Sequence, residues 1–244
     1  MARKPARAKS AAPAASATPI PPTGSERDRI VAAFLALLAE KRFETIDLAE
    51  IATRADVSLG AMRGEFRSTF AIYAAHVKAI DRAVLDGGEG DMAEEPPRER
   101  LFDVLMRRIE KLGPHKEAVR SLLRSASCDP PLALALNGLA VRSMQWMLTA
   151  ADIHASGPRG MLRAQGLALL WTRVLRTFVN DEDEGHARTM AELDRALGRG
   201  ARLVGLLDGL CRFVPRWPGR RRRHRDEDGR RWRDEDDGGE FVRA

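Results

Sequence analysis

The amino-acid sequence predicts an all-α protein of nine helices. Apolar residues recur at three- and four-residue steps along most of its 244 residues, which is the spacing of one face of a helix. Patterns typical of strands are scarce, with a single Tyr in the chain and few runs of β-branched residues. Pro97, Pro114, Pro131 and Pro158 each precede an apolar-periodic stretch, and proline is well tolerated in the first helical turn.

The composition along the chain predicts two folded domains between two tails. Residues 1–24 are rich in Ala, Pro, Ser, Lys and Arg and predict a disordered basic arm. A first domain spans residues 25–86, and the Gly-, Glu- and Pro-rich segment 87–97 is a linker to a larger domain of residues 97–213. Residues 214–244 alternate Arg with acidic blocks, which predicts a disordered charged tail.

The net charge of +6 comes from the two tails. Residues 25–215 contain 27 basic and 27 acidic side chains, so the folded part is formally neutral. Either tail is expected to be solvated, although the arm is also suited to DNA phosphates and has the acid-free composition of an organellar transit peptide. Overall charge therefore gives no argument for nucleic-acid binding.

Residues 48–66 predict two short helices, 48–54 and 59–66, separated by the turn residues 55–58. Two helices of this length cannot bury a core between themselves, so the pair indicates a helix-turn-helix supported by neighbouring helices. Ser58 is placed to cap the second helix. The residues expected on one inner face are Leu48, Ile51, Ala52, Ala55, Val57, Met62 and Phe66.

Two longer helices complete the first domain. Residues 25–41 predict the first helix, with Ser25 as its cap, and Asp47 caps the helix that begins at residue 48. Residues 68–85 predict a fourth, amphipathic helix that leads away from the motif.

The larger domain is expected to contain five helices, at residues 97–112, 114–126, 131–151, 158–179 and 185–211. Leu139, Trp146, Met147, Trp171 and Phe178 are individually typical of a core, and as a group they are the candidates for lining an apolar ligand pocket. The last helix has an apolar seam suited to packing on another helix, within the chain or in a second copy.

The helix-turn-helix resembles that of the TetR family of bacterial transcriptional regulators. The likeness covers residues 26–85 by motif and residues 97–212 by helix count. The matching apolar, small, capping or Phe positions are Leu48, Ile51, Ala52, Ala55, Val57, Ser58, Gly60, Met62, Phe66 and Ser68.

The resemblance implies a regulator that binds operator DNA as a homodimer and is released by a ligand in the larger domain. It implies dimer contacts through residues 158–179 and 185–211, and an apolar ligand suits the pocket candidates. The residues implied to contact DNA are Ser58, Leu59, Gly60, Ala61, Arg63, Arg67, Ser68 and Thr69.

The sequence departs from the family pattern on the DNA-facing side. Arg63 stands where the family commonly has Tyr, Glu65 where it has Tyr or His, and Thr69 where it has a phosphate-binding Lys. Asp47 replaces the usual Thr or Ser cap. Acids at positions 47 and 65 are expected to repel the DNA backbone, whereas Arg63 and Arg67 compensate for them.

A second resemblance gives an alternative function. The stretch 188–202 and the helix that contains Trp146 are similar to the TetR-fold lipid-binding accessory protein of ubiquinone biosynthesis. This likeness implies a carrier of an isoprenoid or acyl chain that no longer binds DNA.

Enzyme and metal motifs are not found in the sequence. The five His residues show no metal-ligand spacing, and there is no dinucleotide, P-loop or nucleophile-elbow motif. We therefore expect no catalytic activity, cofactor or metal. Arg142, Arg163, Arg173 and Arg176 interrupt the apolar runs, which argues against a transmembrane segment. Cys128 and Cys211 lie far apart without a paired motif, as expected of reduced, buried thiols in a cytosolic protein.

Overall fold

The computed structural model describes residues 24–88 and 94–212, with side chains as far as residue 200. The described residues form α-helices and two 3-10 turns and contain no strand, which confirms the all-α prediction. The 3-10 turns are Phe43–Thr45 and Gly113–His115. Within the described residues there are nine α-helices: α1 Glu26–Glu40, α2 Leu48–Ala55, α3 Leu59–Glu65, α4 Thr69–Asp86, α5 Pro97–Leu112, α6 Lys116–Cys128, α7 Pro130–Ala150, α8 Gly157–Phe178 and α9 Ala187–Arg212.

The described residues as far as Leu206 form one compact unit, and those from Leu207 onward belong to a second unit. Residues 1–23 of the predicted arm, residues 89–93 of the predicted linker and the whole predicted tail lie outside the described residues. No helix in the described ranges is long and apolar enough to span a membrane.

Local capping determines where the N-terminal helices begin. Ser25 forms a reciprocal capping box with Asp28 at the start of α1, as its sequence position predicts. Asp47 caps α2 by accepting a hydrogen bond from the Ala49 backbone N–H at 3.0 Å. Ser58 caps α3 in the same way through the N–H of Ala61, also at 3.0 Å.

Several predicted helix boundaries differ from the structure by one or two residues, and two of the differences have a clear local reason. Ala55 is the last residue of α2 rather than part of the turn, because Asp56 adopts the left-handed conformation (φ 52°) that ends the helix. A short Asp side chain tolerates that conformation better than most residues do. Pro114 lies in a 3-10 turn, and α6 begins two residues later at Lys116. The expected burial of Cys128 is also wrong, because this thiol is exposed at the last residue of α6.

The apolar face of α1 forms the centre of the N-terminal core. Ile30, Phe34, Leu37 and Leu38 are buried against α2, α3 and α4. The same core includes Ala118 and Leu122 of α6, from the larger domain. The predicted boundary at residue 86 therefore separates two segments whose apolar cores are joined by α6.

The core of the larger domain is formed mainly by α5, α7 and α8, with Ile80 and Val84 of α4 packed into it. Because Ile72 of α4 belongs to the N-terminal core, this one helix is buried at both ends. A displacement of α4 would therefore change the packing of both domains.

The turn between α8 and α9 is held by Asp181, which is buried. Its Oδ2 accepts hydrogen bonds from the Thr189 backbone N–H at 2.8 Å and the Thr189 hydroxyl at 2.7 Å. Lys116 of α6 donates to the Asp181 carbonyl oxygen. The carboxylate thus satisfies the first turn of α9, where backbone N–H groups have no partner within the helix.

We expect Asp181→Ala to lower the free energy of unfolding by about 1 to 3 kcal/mol, because it leaves both Thr189 donors buried without an acceptor. Urea denaturation measures the change. Glu182→Ala, at an exposed acid on the same turn, is the matched control and should alter stability by less than about 0.5 kcal/mol. Equal effects of the two substitutions would contradict this role of Asp181.

The same interaction predicts acid sensitivity. Burial alone would raise the pKa of Asp181, but the hydrogen bonds from Thr189 hold it below its usual value. Because the folded pKa is the lower one, the stabilisation is complete above the unfolded pKa of about 3.9 and is lost as the pH falls through the folded value. In urea titrations across the acidic range, Asp181→Asn should flatten this loss, and an unchanged pH profile would exclude the carboxylate as its source.

Candidate nucleic-acid interface

The inner side of the helix-turn-helix fixes the orientation of α3. Met62 and Phe66 are buried in the N-terminal core, and Val57 is partly buried in the turn. The Val57 N–H donates to the Ala52 carbonyl at 3.0 Å, which closes the turn after α2. These contacts confirm the predicted inner face, apart from Leu48.

Leu48 corrects the prediction for the start of α2. It is 39% exposed, although its spacing places it with the inner residues. The reason is its position as the first residue of α2, where it lines an open cleft instead of the core.

The outer side of α3 is a narrow surface with small residues along its centre. Gly60 and Gly64 are four residues apart, on the face opposite the buried Met62. Apart from the Ser58 hydroxyl, 3.7 Å from the Cβ position of Gly60, no atom outside the chain neighbours and the backbone of the helix itself lies within 4 Å of either Cβ position. Leu59 is 59% exposed beside them, and Arg63 is exposed one turn later.

Glu65, the acid expected to repel DNA, is paired within the domain. Arg27 of α1 donates to its carboxylate at 3.0 Å, and the Arg27 guanidinium lies 4.5 Å from the centroid of the Phe66 ring. The cation–π contact and the ion pair hold Arg27 over the end of α3. The pattern of the sequence did not indicate this pair, because its partners are 38 residues apart.

Two further acids of the N-terminal domain are also paired. Arg54 binds both carboxylate oxygens of Glu40, at 2.6 and 3.0 Å, and this holds the pKa of Glu40 below its usual value. Lys41 pairs with Glu50. Among the described residues, Arg63 and Arg67 take part in no ion pair, so their charges are available on the outer surface.

An open cleft of about 470 Å³ lies where α2 and α4 begin. Its lining residues are Glu44, Thr45, Ile46, Asp47, Leu48, Arg67, Ser68 and Thr69. Asp47 is engaged in capping α2, and Glu44 pairs with Arg42 at 3.2 Å. Ser68 caps α4 by accepting from the Ala71 N–H at 3.1 Å. The cleft therefore combines two helix N-termini and the charge of Arg67, which attract an anion, with the carboxylate of Asp47, which opposes one.

The structure thus divides the predicted DNA-contact residues between two adjacent places. Ser58, Leu59, Gly60, Ala61 and Arg63 belong to the start and outer part of α3. Arg67, Ser68 and Thr69 line the cleft.

The five candidates for an apolar pocket are not brought together on one cavity wall. Met147, Trp171 and Phe178 are packed into the core of the larger domain, and Leu139 is partly buried. Trp146 is 59% exposed on α7, where it faces away from that core. An apolar pocket formed by these five side chains stays a prediction.

Comparison with solved structures identifies the fold. The protein is similar to the TetR transcriptional regulator from Nitrosomonas europaea ATCC 19718, with a TM-score of 0.58 and 23% identity, covering 73% of this chain and 99% of that one. A TetR transcriptional regulator from Rhodococcus sp. RHA1 has a TM-score of 0.53 and 24% identity, covering 72% and 95%. A TetR-family transcriptional regulator from Streptomyces coelicolor has a TM-score of 0.52 and 15% identity, covering 77% and 86%.

No protein-family model and no curated protein sequence matches the chain. At these identities, the likeness to solved structures establishes the fold. The protein has the TetR-like fold, in which a three-helix unit is joined through α4 to a larger helical domain.

Proposed function

We propose that the protein is a TetR-type transcriptional regulator that binds duplex DNA as a homodimer in the cytoplasm and responds to a ligand. The observation that supports this most is the outer side of α3. There Arg63 forms no ion pair within the described residues, nor does Arg67 in the adjacent cleft, while the one acid of α3, Glu65, is neutralised by Arg27. An outer surface of this charge is suited to the major groove of DNA.

The two glycines of α3 support close docking. With no side chain at Gly60 or Gly64 and open space above them, the helix backbone can approach the base edges. In that position Arg63 would donate to the O6 and N7 acceptors of a guanine, and Leu59 would offer an apolar contact to a thymine methyl group.

The cleft between α2 and α4 would hold a backbone phosphate. Arg67 supplies charge, and Ser68 and Thr69 supply polar groups at the start of α4. Contacts of this kind position a protein on DNA without reading its sequence. We propose that the cleft sets the register of α3 in the groove.

Exposed apolar side chains of α8 and α9 support a dimer. Leu162 and Leu169 on α8 and Met190 on α9 are exposed, and such a surface fits a second copy of the chain. In the proposed dimer the two Arg63 side chains would lie roughly 34 to 36 Å apart, the separation of successive major grooves on one face of DNA.

The function is tested by selecting bound sequences from a pool of random duplexes with the purified full-length protein, followed by gel shifts over a range of salt concentrations. We expect a preferred sequence and an affinity that falls as salt rises. Absence of any retarded complex would overturn the proposal. Co-purification of an apolar lipid, seen by native mass spectrometry in a protein that binds no duplex, would instead favour a lipid carrier.

Arg63 and Arg67 should give different defects. Arg63→Ala should lower affinity by about 1 to 3 kcal/mol and relax specificity at one base pair, because it removes a base contact. Arg67→Ala should weaken binding to all duplexes and reduce the salt slope by about 1, because it removes a phosphate contact. Fluorescence anisotropy on the selected duplex and its single-base variants distinguishes the two, and identical profiles would contradict these roles.

Gly64→Ala should lower the affinity for DNA without lowering the stability of the fold. Alanine in a helix is favoured over glycine by up to about 1 kcal/mol, and the space above Gly64 is open, so stability should hold or rise. DNA affinity should fall because the added methyl group keeps the backbone from the base edges. Gly138→Ala on α7 is the matched control, because no neighbouring element lies within 4 Å of the Cβ position of Gly138. This substitution should leave DNA binding unchanged. Full DNA affinity in Gly64→Ala would exclude close docking at this residue.

A further inference from the structure

An exposed ion pair joins the start of α1 to the end of α3. The Nη1 of Arg27 donates to the Glu65 carboxylate at 3.0 Å and lies 3.5 Å from the Glu65 carbonyl oxygen. The Arg27 guanidinium also lies over the Phe66 ring, with 4.5 Å between Cζ and the ring centroid. The side chains of Arg27 and Glu65 are 49% and 39% exposed. The guanidinium is therefore held beside α3 while it stays open to solvent.

Fold stability does not account for this pair. Exposed ion pairs contribute little to the free energy of unfolding, because water already solvates both charges well. The orientation of α3 is set by other contacts, since Met62 and Phe66 are buried in the N-terminal core. The pair is therefore better explained by a role at the outer surface.

Glu65 and Arg63 lie on opposite flanks of the exposed side of α3. Successive residues of a helix are rotated by about 100°, so residues two positions apart point in roughly opposite directions. Gly60 and Gly64 lie between these flanks, on the outer face. Through its bond to Glu65, Arg27 is placed on one side of the two glycines, and Arg63 is on the other.

The guanidinium of Arg27 keeps a binding edge free. A guanidinium has five N–H donors, and among the described residues only the Nη1 of Arg27 has an acceptor. The edge formed by Nε and Nη2 can therefore donate to a second anion. Phosphate suits this edge, because an arginine can bind two of its oxygens with parallel hydrogen bonds. A helix that lies in the major groove has a phosphate backbone along each side.

We propose that Arg27 binds a backbone phosphate on the Glu65 side of α3, and that Glu65 is a positioning residue that holds the guanidinium there. Glu26 and Asp28, in the first turn of α1, oppose an anion at that helix N-terminus. A phosphate is therefore bound best where the guanidinium is drawn over α3. A side chain already held in its bound rotamer also loses less freedom when the phosphate arrives. This contact rests on the proposed function, because it requires DNA at α3.

Substitution of Glu65 distinguishes positioning from simple repulsion. If the acid only repelled DNA, Glu65→Ala would raise the affinity for the selected duplex. We expect a loss of about three- to tenfold instead, because the guanidinium is no longer held in place. Glu65→Gln should bind at least as tightly as the unmodified protein, since its amide oxygen still accepts from Arg27 and carries no negative charge. In fluorescence anisotropy, a gain of affinity in Glu65→Ala would overturn the positioning role.

Substitution of Arg27 tests the phosphate contact. Arg27→Ala should weaken binding to every duplex by about tenfold and lower the salt slope by about 1. Arg27→Lys keeps the charge but not the planar fork, and its affinity should lie between those of the unmodified protein and Arg27→Ala. In the Arg27→Ala background, Glu65→Ala should strengthen binding, because the acid then has no partner and faces DNA. A loss by the same factor in both backgrounds would overturn the coupling of the two residues.

Arg82 and Asp86 provide the matched control. They form an exposed ion pair of 3.5 Å at the C-terminal end of α4. Arg82→Ala and Asp86→Ala should leave both the affinity and the salt slope unchanged, and urea denaturation of each variant checks that it is folded. Losses equal to those of Arg27→Ala would show a general effect of charge and would overturn the assignment of the phosphate to Arg27.

The outcomes separate this contact from the proposed function. If the unmodified protein binds no duplex at any salt concentration, both are overturned. If it selects a preferred sequence and Arg27→Ala keeps its affinity and salt slope, the phosphate contact alone is overturned and the regulator stands.

Discussion

The burial of α1 is the constraint on which the rest of the N-terminal structure depends. Helices of eight and seven residues, α2 and α3, are too short to be stable by themselves. They keep their positions because Ile30, Phe34 and Leu37 of α1 offer a continuous apolar face to pack against. Phe43 reinforces this face through an edge-on contact with Phe34, with ring centroids 6.2 Å apart. The outer side of α3 is exposed as a consequence of this packing.

Residues 26–82 contain nine basic and nine acidic side chains. The charge of the candidate interface therefore depends on which of these side chains form ion pairs with one another. Ion pairs within the domain neutralise the carboxylates of Glu65, Glu50 and Glu40. Arg63 and Arg67 remain unpaired in the described structure. A neutral composition therefore leaves two positive charges near α3 unpaired, because these three acids pair with Arg27, Lys41 and Arg54 and none of them pairs with Arg63 or Arg67.

The helix α4 connects the two halves of the protein by belonging to both cores. Its first half is packed with α1, and in its second half Asp81 pairs with Arg108 of α5 and accepts a hydrogen bond from Ser143 of α7. A rigid helix with two buried ends transmits a displacement from one end to the other. In the proposed regulator, this arrangement would couple a ligand in the larger domain to DNA at α3 without contact between the two.

The sequence by itself determined the helices, their caps and the inner face of the helix-turn-helix, because these follow from residues three or four positions apart. It also placed Ser58, Arg63 and Arg67 in a plausible DNA-contact surface, through the resemblance to a known family. Only the tertiary structure decided that Arg27 neutralises Glu65, that Leu48 and Trp146 are exposed, and that Asp81 meets Arg108. These outcomes depend on residues far apart in the chain, which helical periodicity cannot relate to one another. In the candidate interface of residues 48–69, the helices therefore follow from local sequence, whereas the charge of the exposed surface depends on tertiary contacts.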